Sequence, residues 1–457
     1  MADRDTAEKE FQTSVWFRTA AEQGNAYAQF NLGLMYKKGQ GVVRDDAQAV
    51  RWFRKAAQQR LVYAQNHLGV MYYNGCGITK DDRKAAQLFQ KAAEQGDASA
   101  QQNLALMYRN GRGVEQDDVL AVNWLRRAAE QGVAAAQSRI GDAYFDGVGV
   151  ARNYTLALSW YRRAAVQGEI NAQTKMGMMY EKGQGVAQSY EQAVAWFFIA
   201  AGQGGAVAQC HIGMAYANGH GLAQEERQAA VWFRKAAEHR DADAQFNLGI
   251  MYSNGQGVSQ DHSQAVAWYR LAAEQGIQNA QFNLAVMYAT GLGVGQDIRQ
   301  ALLWYRRAAG QGMPSAQFNL GVIYANGHGV PRDEARALLW YRRAAEQGDL
   351  GAQNNLGVMY ANGQGIAQDL PRAVHCYRTA AEQGHALAQY NLGCMYCSGQ
   401  GVPRDKVLSY LWINLAAIHG DAAAANSRNL IERSMTAGEI AQAQDLSLQW
   451  QRRQESL

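Results

Sequence analysis

The chain has 457 residues, of which 18% are charged, and a formal net charge of +4. So small a positive excess over that length does not suit a nucleic-acid or anionic-membrane binder. Five cysteines at irregular positions do not form a disulfide framework, and no apolar run approaches the length of a membrane-spanning helix.

Taken from the amino end, residues 1–24 read as half of a unit that the rest of the chain repeats. Trp16 lies 36 residues before Trp52, and Thr19-Ala-Ala-Glu-Gln-Gly24 matches the end of later units. A lone helix with the polar run Asp3 to Glu10 is expected to close this end of the array.

Eleven full units follow, from 25–60 to 385–420, each with a glycine pair such as Gly39/Gly41 or Gly399/Gly401 at a spacing of 36. A period in this range is the mark of stacked helix pairs. In the first unit Ala26 to about Lys38 has helical apolar spacing, and Gly39-Gln-Gly41 ends it, because glycine takes the left-handed conformation without a Cβ penalty. Asp45 then predicts the amino-terminal cap of a second helix, about Asp46 to Gln59. Its position holds Asp in eight units, Asn153 and Ser189 in two, and the poor capper Glu225 in one. Gly33 interrupts the first helix at a cost of roughly 1 kcal/mol relative to alanine. Its retention in nine of eleven units, with Ala105 and Ala285 in the others, predicts close helix–helix approach. The Tyr36 and Trp52 positions are expected to form a continuous core. Residues 421–457 break the pattern: Ala422 to Met435 and Ile440 to Arg453 read as capping helices, with Thr436 opening the second and Trp450 anchoring it.

The unit A-x-A-Q-x-N-L-G-x-M-Y-x-x-G-x-G-V, followed by A-x-x-W-Y-R-x-A-A-E-Q-G, resembles the Sel-1-like repeat, a relative of the tetratricopeptide repeat. It is spelled almost without departure in residues 277–348, and the resemblance covers roughly residues 10–420. It implies an all-α fold, a right-handed superhelical α/α solenoid of helix–loop–helix repeats with helical caps, acting as a scaffold or adaptor for proteins. A cysteine-rich secreted branch linked to β-lactams carries a regular cysteine pair per repeat, which this chain lacks.

No catalytic constellation emerges. The Gly-x-Gly loops follow helices instead of strands and lack a third glycine, so they read as turns. Cys376, Cys394 and Cys397 have the spacing for a soft metal, but Cys376 and Cys394 stand at core positions and read as buried thiols. Neither cofactor nor metal is expected. The arginine pairs Arg126-Arg127, Arg162-Arg163, Arg306-Arg307 and Arg342-Arg343 read as a solvated ridge.

The residues that vary on the first helices are the candidate binding groups. By analogy with tetratricopeptide arrays these helices line a concave groove. Tyr27, Phe30, Lys37, Tyr73, Arg109 and Phe145 form a mixed aromatic and charged patch. Phe246, Phe282 and Phe318 form an aromatic stripe beside Ala289, Ala325 and Ala361, with Asn254, Asn326 and Asn362 next to them and Tyr390 further on. Such a stripe suits apolar side chains of a peptide, and asparagines can bond its backbone. The competing use of these phenylalanines is packing between neighbouring units. The expectation is a non-enzymatic, monomeric scaffold that binds a protein or extended peptide in the cytoplasm. An exported protein engaging a host protein and a β-lactam-interacting enzyme are the alternatives.

Overall fold

The computed structural model describes residues 2–418 and 422–455; the expected junction of the last unit with the cap at 420/421 lies outside them. Among the described residues every regular element is a helix, 25 in chain order, and they fall into two compact units, residues 1–239 and 240–457.

The first compact unit opens with the helix Ala2–Glu22 and continues with first helices and second helices in alternation. Ala26–Lys38 pairs with Asp46–Gln58, Val62–Asn74 with Asp82–Glu94, and so on to Ala206–Asn218 with Glu226–Glu238. Of the polar run 3–10, the side chains of residues 3–7 lie outside the described ones; Glu8 and Lys9 are exposed. The second compact unit repeats the hairpin from Ala242–Asn254 and His262–Glu274 to Ala386–Ser398 and Lys406–Ile418. It ends with Ala422–Glu432 and Ala437–Glu455. There the Thr436 N–H donates to the Glu439 carboxylate at 2.7 Å, and the Glu439 N–H donates back to the Thr436 hydroxyl at 3.3 Å. Trp450 meets Trp412 edge to face at 6.5 Å, which holds the last helix.

Local chemistry explains the hairpin. Gly39 takes φ 73 and its N–H closes the first helix on the Met35 carbonyl. Gly41 serves a different purpose: a Cβ there would collide with the Glu10 carbonyl of the preceding helix. Within each compact unit the second glycine of a pair is thus where a loop touches the previous helix, as Gly77 does at Asp46 and Gly113 at Asp82. Asp45 donates its N–H to the Tyr36 carbonyl at 2.9 Å and accepts the Gln48 N–H on its side chain at 2.9 Å. Glu225, the one poor capper, makes no such side-chain bond.

The close approach expected at Gly33 is present. A Cβ there would stand 2.7 Å from the Phe53 ring, and Gly141 faces Tyr161 in the same way at 2.6 Å. The expected core holds in part: Trp52, Trp304 and Trp412 and the tyrosines Tyr180, Tyr288, Tyr324, Tyr360 and Tyr396 are buried, but the tryptophans are not the central rings. The ring at the centre of each hairpin belongs to the residue after tryptophan: Phe53, Phe89, Tyr161, Phe197, Phe233, Tyr269, Tyr305, Tyr341 and Tyr377 are all buried. Trp52 is one residue round the helix, so it faces backward onto Ala21 and Leu32 of the preceding helices. Trp124, Trp160, Trp196 and Trp340 are only half-buried. The arginine ridge is exposed as expected, apart from the half-buried Arg126, and it also makes contacts. Arg126 donates to the Tyr144 hydroxyl at 3.1 Å and Arg342 to that of Tyr360 at 3.5 Å, while Arg127 and Arg343 lie over the rings of Trp124 and Trp340. Arg126 and Arg342 thus fasten one hairpin to the next, whereas Arg127 and Arg343 stack on a tryptophan of their own helix.

Candidate functional site

On each first helix Ala28, Leu32 and Met35 and their equivalents turn inward, which leaves the positions of Tyr27, Phe30, Lys37 and Lys38 on the other side. That side carries the chemical differences between repeats.

In the second compact unit Phe246, Phe282 and Phe318 are half-buried. Each sits 5.8–5.9 Å, ring to ring, from the central tyrosine of its own hairpin: Tyr269, Tyr305 and Tyr341. Phe318 also reaches the next hairpin, where a Cβ on Gly351 would be 3.1 Å from its ring. The stripe therefore contributes to packing, and part of each ring remains open. Ala289, Ala325 and Ala361 are half-buried beside it, and Asn254, Asn326 and Asn362 are exposed. A cavity of about 410 Å³ opens between Pro314–Asn326 and Leu350–Asn362. Val322, Ala325, Val358 and Met359 are its apolar lining, Asn326, Tyr341, Asn355 and Gln364 its neutral polar groups, and the paired Arg332 and Glu334 its charges; Phe318 lies outside the lining.

The sequence reading missed those tyrosine hydroxyls. Tyr341 on the second helix bonds Asn355 of the next first helix, and Tyr269 bonds Asn283 and Ser253. Burial raises the pKa of both, and pushes Tyr305 up to about 12, so these hydroxyls stay neutral hydrogen-bonding groups. The signal was there in the tyrosine after each tryptophan combined with asparagine two residues before the mid-helix glycine position.

Tyr390 does not extend the stripe. It packs with Cys394 against Ile413 and Ile431, and its hydroxyl lies 3.3 Å from that of Ser427, so it joins the carboxy-terminal helices.

In the first compact unit the mixed patch is not one surface. Tyr27 is 63% exposed. Phe30 is half-buried among Phe53 at 5.7 Å, Tyr63 at 6.1 Å and His67 at 5.1 Å. Lys37 is half-buried and Arg109 exposed. Tyr73 is covered by the Arg112 guanidinium at 3.9 Å, which is itself paired with Asp82 at 2.9 Å. Phe145 meets Tyr154 edge to face at 5.2 Å, with Lys175 5.4 Å from its ring centre. Beside it the Tyr161 hydroxyl donates to Asp142 at 2.7 Å, and burial lifts that carboxyl above its ordinary range.

The thiols act as small hydrophobes. Cys376 packs in the core of the last hairpins and burial pushes it up to about 11; burial raises Cys394 as well. Among the described residues no three His, Cys, Asp or Glu side chains converge as metal ligands. None of the helices described is long and apolar enough to cross a membrane.

Stacked helix hairpins with an invariant frame and a varied first-helix side define a repeat protein of the α/α solenoid class, of the kind built for protein–protein interaction. The Sel1 repeat family model matches twelve segments, a partial one at 15–25 and then from 26–61 to 351–385 and 386–421. The chain belongs to the Sel1 repeat family. Its fold is similar to that of a protective antigen present in uropathogenic Escherichia coli strains, c5321, with a TM-score of 0.73 and 38% identity over 96% of this chain and 94% of that one. A Sel1 repeat protein from Oxalobacter formigenes is 35% identical over 68% of this chain and 89% of its own, at a TM-score of 0.49. No curated protein matches.

Proposed function

We propose that the chain is a non-enzymatic scaffold that binds an extended segment of a protein partner on the first-helix side of its second compact unit. The observation that carries this reading is the triplet Phe246, Phe282 and Phe318, in register on successive hairpins and each backed by a tyrosine. Partly open rings spaced by alanines accept apolar side chains, while Asn326 and Asn355 bond a peptide backbone. The scaffold works as a monomer in the cytoplasm.

The test is selection of peptides from a displayed library against the whole chain, followed by binding to a Phe246→Asn/Phe282→Asn/Phe318→Asn variant. Asparagine already occupies this position at Asn66 and Asn354, so the repeat tolerates it. Loss of binding with a retained melting transition supports the stripe; full binding by the variant rejects it.

The likeness to a protective antigen supports a second reading, in which the partner is a host protein and the chain acts outside the cytoplasm. Fractionation of expressing cells separates the two. Incubation with a chromogenic β-lactam is expected to give no hydrolysis.

A further inference from the structure

Seven second helices place a cation three residues after the Trp52 position: Lys55, Lys91, Arg127, Arg163, Lys235, Arg307 and Arg343. In six of them the cation lies over an indole, at 4.3 Å for Lys55 on Trp52, 4.1 Å for Lys235 on Trp232 and 4.6 Å for Arg163 on Trp160, with Arg127, Arg307 and Arg343 likewise. Lys91 is the exception, because its helix carries Leu88 instead of tryptophan. The other second helix without this tryptophan has Cys376 followed by Thr379, and so lacks the cation as well.

Those indoles fill a recess against the preceding hairpin. Trp52 packs beside Ala21, Leu32 and Tyr36, and Trp160 beside Ala129, Ile140 and Tyr144. The corresponding walls at Leu88 are Ala57, Leu68 and Tyr72, and there the recess stands open as a cavity of about 800 Å³.

Its rim is basic. Arg54, Arg60, Lys84 and Lys91 line it, against the single carboxylate of Glu94. Arg54 donates to the Tyr72 hydroxyl at 3.4 Å and Lys84 is paired with Asp81 at 3.1 Å. Neither Arg60 nor Lys91 has an ion-pair partner among the described residues. Arg60 also breaks the rule of its turn. Glycine holds nine of the eleven equivalent positions, and Arg60 adopts φ 63 there, a left-handed conformation that costs a side-chain-bearing residue. Arg240, the other residue at this position that is not glycine, does the same at φ 64, so what distinguishes Arg60 is the cation it adds to the rim of the Leu88 recess.

We propose that the Leu88 recess is a docking site for an aromatic side chain on an acidic segment of a partner protein. The ring enters beneath Lys91, on the walls that hold an intrinsic indole in the neighbouring repeats. Carboxylates flanking it in the partner meet Arg54 and Arg60. A cation stacked on the guest ring and charge complementarity at the rim act together. The site lies on the second-helix side of the first compact unit, so it stands or falls independently of the phenylalanine stripe.

The probe is a fluorescein-labelled, end-blocked peptide Asp-Glu-Trp-Asp-Glu, titrated with the whole chain and followed by anisotropy at low salt. Saturable binding is expected, weakened at least tenfold when the peptide tryptophan becomes alanine. Leu88→Trp and Arg60→Gly each install the residue that other repeats use, so both keep the hairpin. The first is expected to lower affinity at least tenfold by filling the recess, the second several-fold with a shallower salt dependence. Lys91→Glu, a surface change, is expected to abolish binding. Undiminished binding by Leu88→Trp, equal binding of the alanine peptide, or no binding of the tryptophan peptide at millimolar concentration overturns the proposal.

Discussion

The Gln131 side-chain amide donates a 2.9 Å hydrogen bond to the side-chain oxygen of Gln101, whose own amide donates to the Ala93 carbonyl at 3.2 Å. Gln101 is buried. The same rung joins Gln59 to Gln29, Gln95 to Gln65 and Gln167 to Gln137, so a polar ladder runs inside the apolar stack. Gln101→Leu removes both bonds, but the Ala93 carbonyl keeps the Gly96 N–H and the exposed Gln131 amide can turn to water, so the expected loss is about 1 kcal/mol. Urea unfolding followed by circular dichroism measures it; an unchanged midpoint would show the rung to be energetically idle.

Gly141 and Tyr161 should be coupled. An added Cβ would be 2.6 Å from the tyrosine ring, so Gly141→Ala is expected to destabilise by about 1–3 kcal/mol despite the better helix propensity of alanine. Of the two hairpins with alanine here, that of Ala105 has Leu125 in place of a ring, whereas that of Ala285 keeps Tyr305 and must hold the ring in a shifted place. Adding Tyr161→Leu to Gly141→Ala should therefore cost less than the two single changes summed. A double-mutant cycle on melting temperatures reads the coupling directly, and strict additivity would exclude it.

Burial raises the Asp142 carboxyl, opposed in part by the Tyr161 hydroxyl and by Lys175. A carboxyl with a raised folded pKa binds its proton more tightly in the folded chain. Its contribution is whole below the unfolded value near 4 and is lost as pH rises through the folded value. Asp142→Asn keeps an acceptor for Tyr161 without the charge. It should raise the melting temperature at pH 7, with a gain that shrinks toward pH 4. An equal shift at both pH values would point away from ionisation.

Cys376, lifted by burial to about 11, should be a poor nucleophile while the hairpin is folded. At pH 8 its thiolate fraction is about 0.1%, against about 25% for an unperturbed thiol. Alkylation mapped by mass spectrometry should show it reacting about two orders of magnitude faster in denaturant. Fast labelling in native buffer would contradict the desolvated setting of this half-buried thiol.

Much of the fold was legible before any coordinate. The 36-residue period, the glycine after each first helix, the aspartate caps and the mid-helix glycines all report local backbone needs, and local needs are written where they act. The weak capper Glu225 was recognisable as such for the same reason. The candidate site was legible only by position. Phe282 could be placed on the first-helix side from spacing alone, but its contact with Tyr305 depends on how two helices lean together.

What the sequence by itself determined is the repeat, its helix boundaries and the family. What only the tertiary structure decided is the use of each conserved side chain. Trp52 and Phe53 are neighbours in an apolar stripe, yet a rotation of about 100° between them sends one to the preceding hairpin and the other to its own centre. Leu88 reads as a conservative apolar exchange until its surroundings show an open recess under an uncovered lysine. Periodicity fixes which side chains share a helix face; the depth of the space that each must fill is set by a partner helix whose packing no local pattern encodes.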